Sequence, residues 1–324
     1  MTKQYNIGIL GASRIARKFA SDAKGVATTK LYAVAARHLE SAQTFQKEFD
    51  MPYSYGSYEE LVNDENVDII YISTPNSFHK EHVLLCLNAG KAVICEKPFA
   101  LNQEEVEDMI EAAKAHKVFL MEAMWTRYLP SINKAKEWLT ENKIGAVKLF
   151  EGDFGFKGED KEDIRFNRKL GGGSLLDVGI YPIALASMIF GMQPEQIDAH
   201  AAITQGGVDE SICMQFVYST GQMAQLNASI SLGTPKNAYI IGEEGYIHLP
   251  QAWYGKLAYL YNSEGELIEQ FVDESQDIGY RFELEEVVKC LGEGKTQTDR
   301  MTLEESLEII KTLDKIRKIV GVEY

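Results

Sequence analysis

The chain has 324 residues, 45% hydrophobic and 25% charged, with 33 lysines and arginines against 48 aspartates and glutamates and a net charge of −15. That length accommodates two domains of ordinary size, and the composition is that of a globular enzyme rather than a disordered or fibrous chain. The acidic balance repels polyanions and argues against a general nucleic-acid role, while leaving room for one anionic ligand in a local basic pocket.

Taken in order, the first 122 residues alternate in type. Apolar runs at 5–10, 31–36, 68–73, 92–95 and 118–121 read as strands. Helical patterns from Ser13 and at 39–49, 78–87 and 103–115 fall between them. Strands alternating with helices predict βαβ units on a parallel sheet, covered on both faces. From residue 123 the texture changes. The spacing predicts a helix over 129–141, a strand over 147–154, and an apolar helix over 174–190 after a glycine-rich turn. Several antiparallel strands are expected between 196 and 271, then helices over 281–291 and 303–320. The predicted organisation is α/β throughout: a doubly wound domain at 1–122 and a second α/β domain at 123–324. Residues 1–5 lead almost directly into a strand, which predicts no signal peptide, and no apolar stretch is expected to reach a membrane span. Cys86, Cys95, Cys213 and Cys290 show no C-x-x-C spacing and read as buried free thiols in a reducing cytoplasm.

The first strand runs into Gly11-Ala12-Ser13-Arg14-Ile15-Ala16, the slot of the dinucleotide fingerprint G-x-G-x-x-G/A. Free amides and the dipole at a helix start bind phosphate there. The middle glycine is replaced by Ser13, whose hydroxyl is a further phosphate donor. The second strand ends at Arg37-His38, where NAD enzymes place an acidic residue for the ribose. A guanidinium there suits the 2′-phosphate of NADP, so NADP is the expected cofactor and NAD the alternative. The third long strand ends in Thr74-Pro75-Asn76, with His79 following, and the fourth in Glu96-Lys97-Pro98. Ligands of open α/β sheets bind outside the carboxyl ends of the strands, so all of these should rim one crevice. His79 and His82 lack an evident third ligand, so no metal is expected.

The stretches GILGASRIA, STPNSFHKEH, VICEKPFALN, FLMEAMWTRYLP and GGGSLLDVGIYPI give the chain its resemblance. It resembles the glucose–fructose oxidoreductase / inositol dehydrogenase family, most closely the branch of dimeric dihydrodiol dehydrogenases and NADP-dependent D-xylose dehydrogenases. The resemblance implies a Rossmann domain joined to an α/β domain on an open, mostly antiparallel sheet. It implies hydride transfer between a nicotinamide and a sugar or vicinal diol, a cytoplasmic homodimer, and no nucleic-acid or membrane partner. By position, Lys97 matches the family's active-site lysine, and Asp177 and Tyr181 its second-domain pair. Trp125 and Phe154 match substrate-pocket aromatics, and Tyr280 is a further candidate. In the chemistry so implied, a tyrosine ionising near ~10 needs a nearby ammonium to act as a base at neutral pH, which pairs Tyr181 with Lys97. Asp177 orients the lysine or binds a substrate hydroxyl. An NAD-dependent inositol-type dehydrogenase would carry an acidic residue near position 37 and histidine at 181. A non-catalytic NADP-binding sensor would have lost Lys97, Asp177 or Tyr181.

Overall fold

The computed structural model describes residues 3–158, 163–191 and 193–324. They form two compact units. One comprises the residues up to Trp125 together with Asp277–Leu307, the other Thr126–Gln276 with Glu308–Tyr324. The division therefore falls a few residues after the expected 122/123 boundary, and 277–307, expected in the second domain, belong to the first unit. A buried carboxylate explains the reassignment. Asp22 accepts the backbone N–H of Gly279 at 2.8 Å and of Tyr280 at 3.0 Å. It thereby caps a late helix onto an early one.

In the first unit, β1 (Tyr5–Leu10), β2 (Thr29–Ala35), β3 (Tyr53–Tyr55), β4 (Ile69–Ile72), β5 (Ala92–Glu96) and β6 (Leu120–Ala123) make one parallel sheet. Its order is β3-β2-β1-β4-β5-β6. The connections carry α1 (Arg14–Ala23), α2 (Leu39–Phe49), α3 (Tyr58–Val62), α4 (His79–Asn88) and α5 (Gln103–His116). Every residue of β4 and β5 is buried, as helices on both faces require. The strand order reverses beside β1, the position where doubly wound sheets bind dinucleotides. The sequence reading passed over β3 and α3. The strand is a three-residue edge, but α3 had a signal: Ser57 and Glu60 form a reciprocal capping box.

In the second unit, α6 (Pro130–Thr140) precedes β7 (Val147–Gly155), and α7 (Ile180–Phe190) follows it. The strands β8 (Gln196–Ile203), β9 (Asp209–Val217), β10 (Met223–Ser229), β11 (Ala238–Gly242), β12 (Gly245–Leu249), β13 (Leu257–Asn262) and β14 (Leu267–Val272) complete an eight-stranded sheet. Its order is β14-β13-β12-β11-β7-β10-β9-β8. Only the β7–β10 pair is parallel. Burial alternates along the strands. Leu226, Ile240, Ile247 and Leu260 face the helices. Tyr239, Tyr246, His248, Tyr259 and Tyr261 lie half-buried on the open face. The remaining helices are α8 (Tyr280–Gly292) and α9 (Leu303–Val320).

Two expectations are corrected. The run Arg168–Phe190 does meet the length and composition of a membrane span, yet 78% of its most apolar window is buried. It behaves as a core helix covering a sheet. Of the four thiols, Cys213 is exposed, because its position on β9 points to the open face.

Candidate active site

Gly11 ends β1 with φ +103°, a conformation that side chains rarely adopt. A Cβ there would lie 3.1 Å from Ser73 Oγ and 3.2 Å from Thr74 Cγ2, so only glycine lets this turn pack against the end of β4. Ser13 behaves differently. Its backbone is extended, which any residue tolerates, and its Oγ accepts Ala16 N–H at 3.1 Å as the N-cap of α1. The fingerprint loses its middle glycine because a serine cap does useful work at that position. The first turn of α1 contains no acidic residue, and the amides of Arg14 and Ile15 stand at a positive helix end. Arg17, which the motif did not flag, braces the turn by donating from Nη1 to the carbonyls of Ala12 (2.9 Å) and Ser13 (3.1 Å). These features fit the pyrophosphate of a dinucleotide.

Arg37 and His38 are exposed just beyond β2. The Arg37 charge reaches Tyr58, opposing the upward push of burial on that phenol. Thr74, Pro75 and Asn76 follow β4 and are half-buried. Thus Gly11–Ile15, Arg37, His38 and Thr74–Asn76 all stand at carboxyl ends of parallel strands, as does Lys97 after β5.

The turn at Lys97 is fixed from several sides. Glu96 accepts the Tyr71 hydroxyl on Oε1 and the Lys97 N–H on Oε2 at 3.2 Å. Glu122 accepts Phe99 N–H at 3.1 Å. His79 brings Nδ1 to 2.8 Å from Pro98 O and Nε2 to 2.9 Å from Thr74 O. The Lys97–Pro98 peptide between them is cis. Glu96 and His79, expected at the cofactor, are buried, and they bind the turns that carry Lys97 and Thr74. Burial pushes His79 down to about 4 against the pull of its carbonyls, and a neutral ring, with one N–H, donates to one of the two. His82 reaches Thr74 Oγ1 at 2.9 Å through Nδ1 and is pushed down to about 4 in the same way. Behind Glu96 lies Glu283 of α8, fully buried, with neither carboxyl oxygen hydrogen-bonded among the described residues. Burial, then the charges of Glu96 and Asp22, raise it well above the usual carboxylate range.

Trp125 and Tyr280 belong to this same unit and stack, with ring centroids 4.7 Å apart and planes at 21°. Tyr280 sits there because Asp22 caps α8 at that residue.

In the second unit the expected single α-helix begins as a turn of π-helix, Leu175–Gly179, and only then becomes α7. Asp177 lies on the π-turn and Tyr181 one turn later. Phe154 on β7 sits against Tyr181, centroids 5.2 Å apart. Trp253, which the sequence reading missed, lies 5.8 Å from Phe154 and 6.1 Å from Tyr181. Tyr254 completes the group at 6.2 Å from Phe154. The Trp253 Nε1–H donates to Asp153 O at 2.7 Å, which fixes the ring. The available signal was Ala252-Trp253-Tyr254-Gly255, two large aromatics in a turn between strands. Arg165 was also missed. It forks onto Asp163 at 2.9 and 2.6 Å. Desolvation pulls the guanidinium down, while Asp163 and Asp177 favour its charged form and prevail. Residues 159–162, just before Asp163, lie outside the described residues.

Residues 5–124 match the family model described as "Oxidoreductase family, NAD-binding Rossmann fold", and 132–248 match the "GFO/IDH/MocA C-terminal domain". Along its length the chain is similar to trans-1,2-dihydrobenzene-1,2-diol dehydrogenases. It is 36% identical over 330 residues to that of Danio rerio and to that of Mus musculus, covering 98% of this chain and 97% of each relative. Among solved structures, aldose-aldose oxidoreductase from Caulobacter crescentus superposes with a TM-score of 0.90 over 98% of both chains at 24% identity, a likeness of fold. With a reversed parallel sheet that presents a glycine turn for a dinucleotide, and both family models satisfied, the chain belongs to the GFO/IDH/MocA family of nicotinamide-dependent oxidoreductases.

Proposed function

We propose that the protein is an NADP(H)-dependent dehydrogenase or reductase that interconverts a CH–OH and a carbonyl group on a sugar or vicinal diol. The observation that carries the reading is full-length similarity to diol dehydrogenases in a chain that retains Lys97, Asp177 and Tyr181. The bound nicotinamide supplies the hydride acceptor or donor. Tyr181 takes the hydroxyl proton in oxidation and returns it in reduction, with the Lys97 ammonium favouring the phenolate. Asp177 binds a second hydroxyl or orients the lysine. The rings of Phe154 and Trp253 give Tyr181 an apolar shelf, and Trp125 with Tyr280 forms a second stacked aromatic surface for a ring substrate.

Arg37 supports NADP over NAD, because a cation beyond β2 attracts the 2′-phosphate where a carboxylate would repel it. The open face of the second sheet supports a homodimer. Tyr239 stacks on His248 at 4.3 Å and Tyr246 on Tyr261 at 4.7 Å, a row of rings that a second copy would cover. Three buried free thiols support a reducing, cytoplasmic setting. The test is a panel of pentoses, hexoses and vicinal diols assayed with NADP and with NAD. Turnover of at least one class, faster with NADP, is expected. No turnover of any class with either cofactor would reject the reading.

A further inference from the structure

Asp209 opens β9 and is fully buried. Its Oδ2 accepts two hydrogen bonds from the head of the π-turn, Ser174 Oγ–H at 2.6 Å and Leu175 N–H at 2.6 Å. Both are as short as bonds to an ionised acceptor. Oδ1 has no partner among the described residues. Gly173, with φ +120°, brings the backbone this close: a Cβ there would lie 2.3 Å from Oδ1 and 2.9 Å from Tyr324 Oη. The same segment holds Asp177, whose N–H donates to Gly173 O at 3.1 Å.

We propose that Asp209 is a positioning residue for the reaction: its carboxylate, by accepting from Ser174 and Leu175, fixes the π-turn that presents Asp177 and leads into the helix of Tyr181. The inference rests on the catalytic reading of Asp177 and Tyr181 given above. The first N–H groups of a helical segment have no carbonyl partner within it and need an acceptor from outside. A serine or asparagine would cap without burying charge. A buried carboxylate makes stronger bonds but titrates close to neutrality, burial raising it to about 6 even against the two bonds. The titratable group beside it is Tyr324, on which Arg317 and Arg168 also act. Tyr324 feels the Asp209 charge directly. The Tyr324 hydroxyl donates to Gly172 O rather than to Asp209. On protonation, Oδ2 becomes a weaker acceptor and the proton has no acceptor at Oδ1, so the π-turn loosens as pH falls through about 6.

The test is the pH profile of turnover for wild type, Asp209→Asn and Ser174→Ala, with cofactor affinity measured alongside by fluorescence. Asparagine keeps the size and one acceptor but cannot ionise. The wild type should lose turnover below about pH 6. Asp209→Asn should lower kcat about 10–10²-fold, the cost of a misplaced reactive group, with KM and cofactor affinity little changed and the acid limb gone. Ser174→Ala removes a bond that holds the carboxyl down, so its acid limb should move to higher pH. Should Asp209→Asn fail to fold, the limb of Ser174→Ala decides alone. Wild-type kcat and an unmoved limb in these variants overturn the proposal. Asp177→Asn and Tyr181→Phe, run in the same assay, separate the two readings. If they keep full turnover, the catalytic reading falls first; if they lose it while Asp209→Asn and Ser174→Ala match wild type, only the Asp209 proposal falls.

Discussion

The turn after β5 and the glycine segment before α7 hold functional side chains by different means. At Lys97 the strand itself is rigid and wholly buried, and side chains reach in to grip the turn: Glu96, Glu122 and His79 bind its N–H and carbonyl groups. At Asp177 the backbone does the reaching. Gly172 and Gly173 remove two side chains, so the chain passes within contact of Arg165 O and Asp209. The first design tolerates a change in one clamp because others remain. The second depends on space, and any added atom collides with a carboxylate or a carbonyl.

The largest effects should come from the groups that meet substrate. Tyr181→Phe keeps the ring against Phe154 and Trp253 and removes only the hydroxyl, so a kcat loss of about 10²–10⁴-fold is expected. Lys97→Met should lower turnover to a similar extent with NADP affinity nearly intact. Two interacting groups titrate as a pair, so the pH profiles of the two variants must be compared. If Tyr181→Phe keeps its rate and its basic ionisation, the proton belongs to Lys97 or a water.

Next in size is Gly173→Ala, the sharpest probe of the comparison. It forces an unfavourable φ and a 2.3 Å clash with Asp209 Oδ1, so a loss of about 3 kcal/mol or more is expected in denaturant unfolding. Glu122→Gln keeps an acceptor for Phe99 N–H and should cost much less. Equal losses would mean that the two turns are held in the same way.

Arg37→Asp should follow, weakening NADP binding by about 10–10²-fold while changing NAD binding little, since a charged hydrogen bond contributes roughly 1.5–3 kcal/mol. Cofactor titrations check it, and equal losses for both cofactors would remove Arg37 from the phosphate site.

A last prediction concerns Glu283, whose effect is read only as a slope with pH. Its folded pKa lies above the usual 4.5, so the unfolded chain releases this proton at a lower pH than the folded one. Stability is therefore lost as pH rises from about 4.5 toward the folded value, at up to about 1.4 kcal/mol per pH unit. Glu283→Gln abolishes that slope. Its melting temperature should exceed wild type by more at pH 8 than at pH 5, and a constant difference would show that Glu283 does not titrate.

Much of the first unit was legible in the sequence, for a simple reason. A parallel sheet buried on both faces demands unbroken apolar runs, and each connection demands a helix-length pattern, so strand, turn and helix announce themselves locally. Its candidate residues follow, because doubly wound sheets place ligands at strand ends. The motif at 171–181 likewise located Asp177 and Tyr181 by type and order. What the tertiary structure decided was everything that depends on who faces whom across long separations. The serine in the glycine fingerprint became a helix cap. Glu96 and His79, read as cofactor contacts, also hold the turns that carry Lys97 and Thr74. Residues 277–307 joined the first unit through a carboxylate more than 250 positions earlier. Trp253 and Arg165 carried no periodic or motif signal, since an aromatic or a cation in a turn is ambiguous until its neighbours are known. Asp209 was invisible for the same reason: a lone aspartate at a strand start acquires meaning only when folding buries it against the glycines of another element.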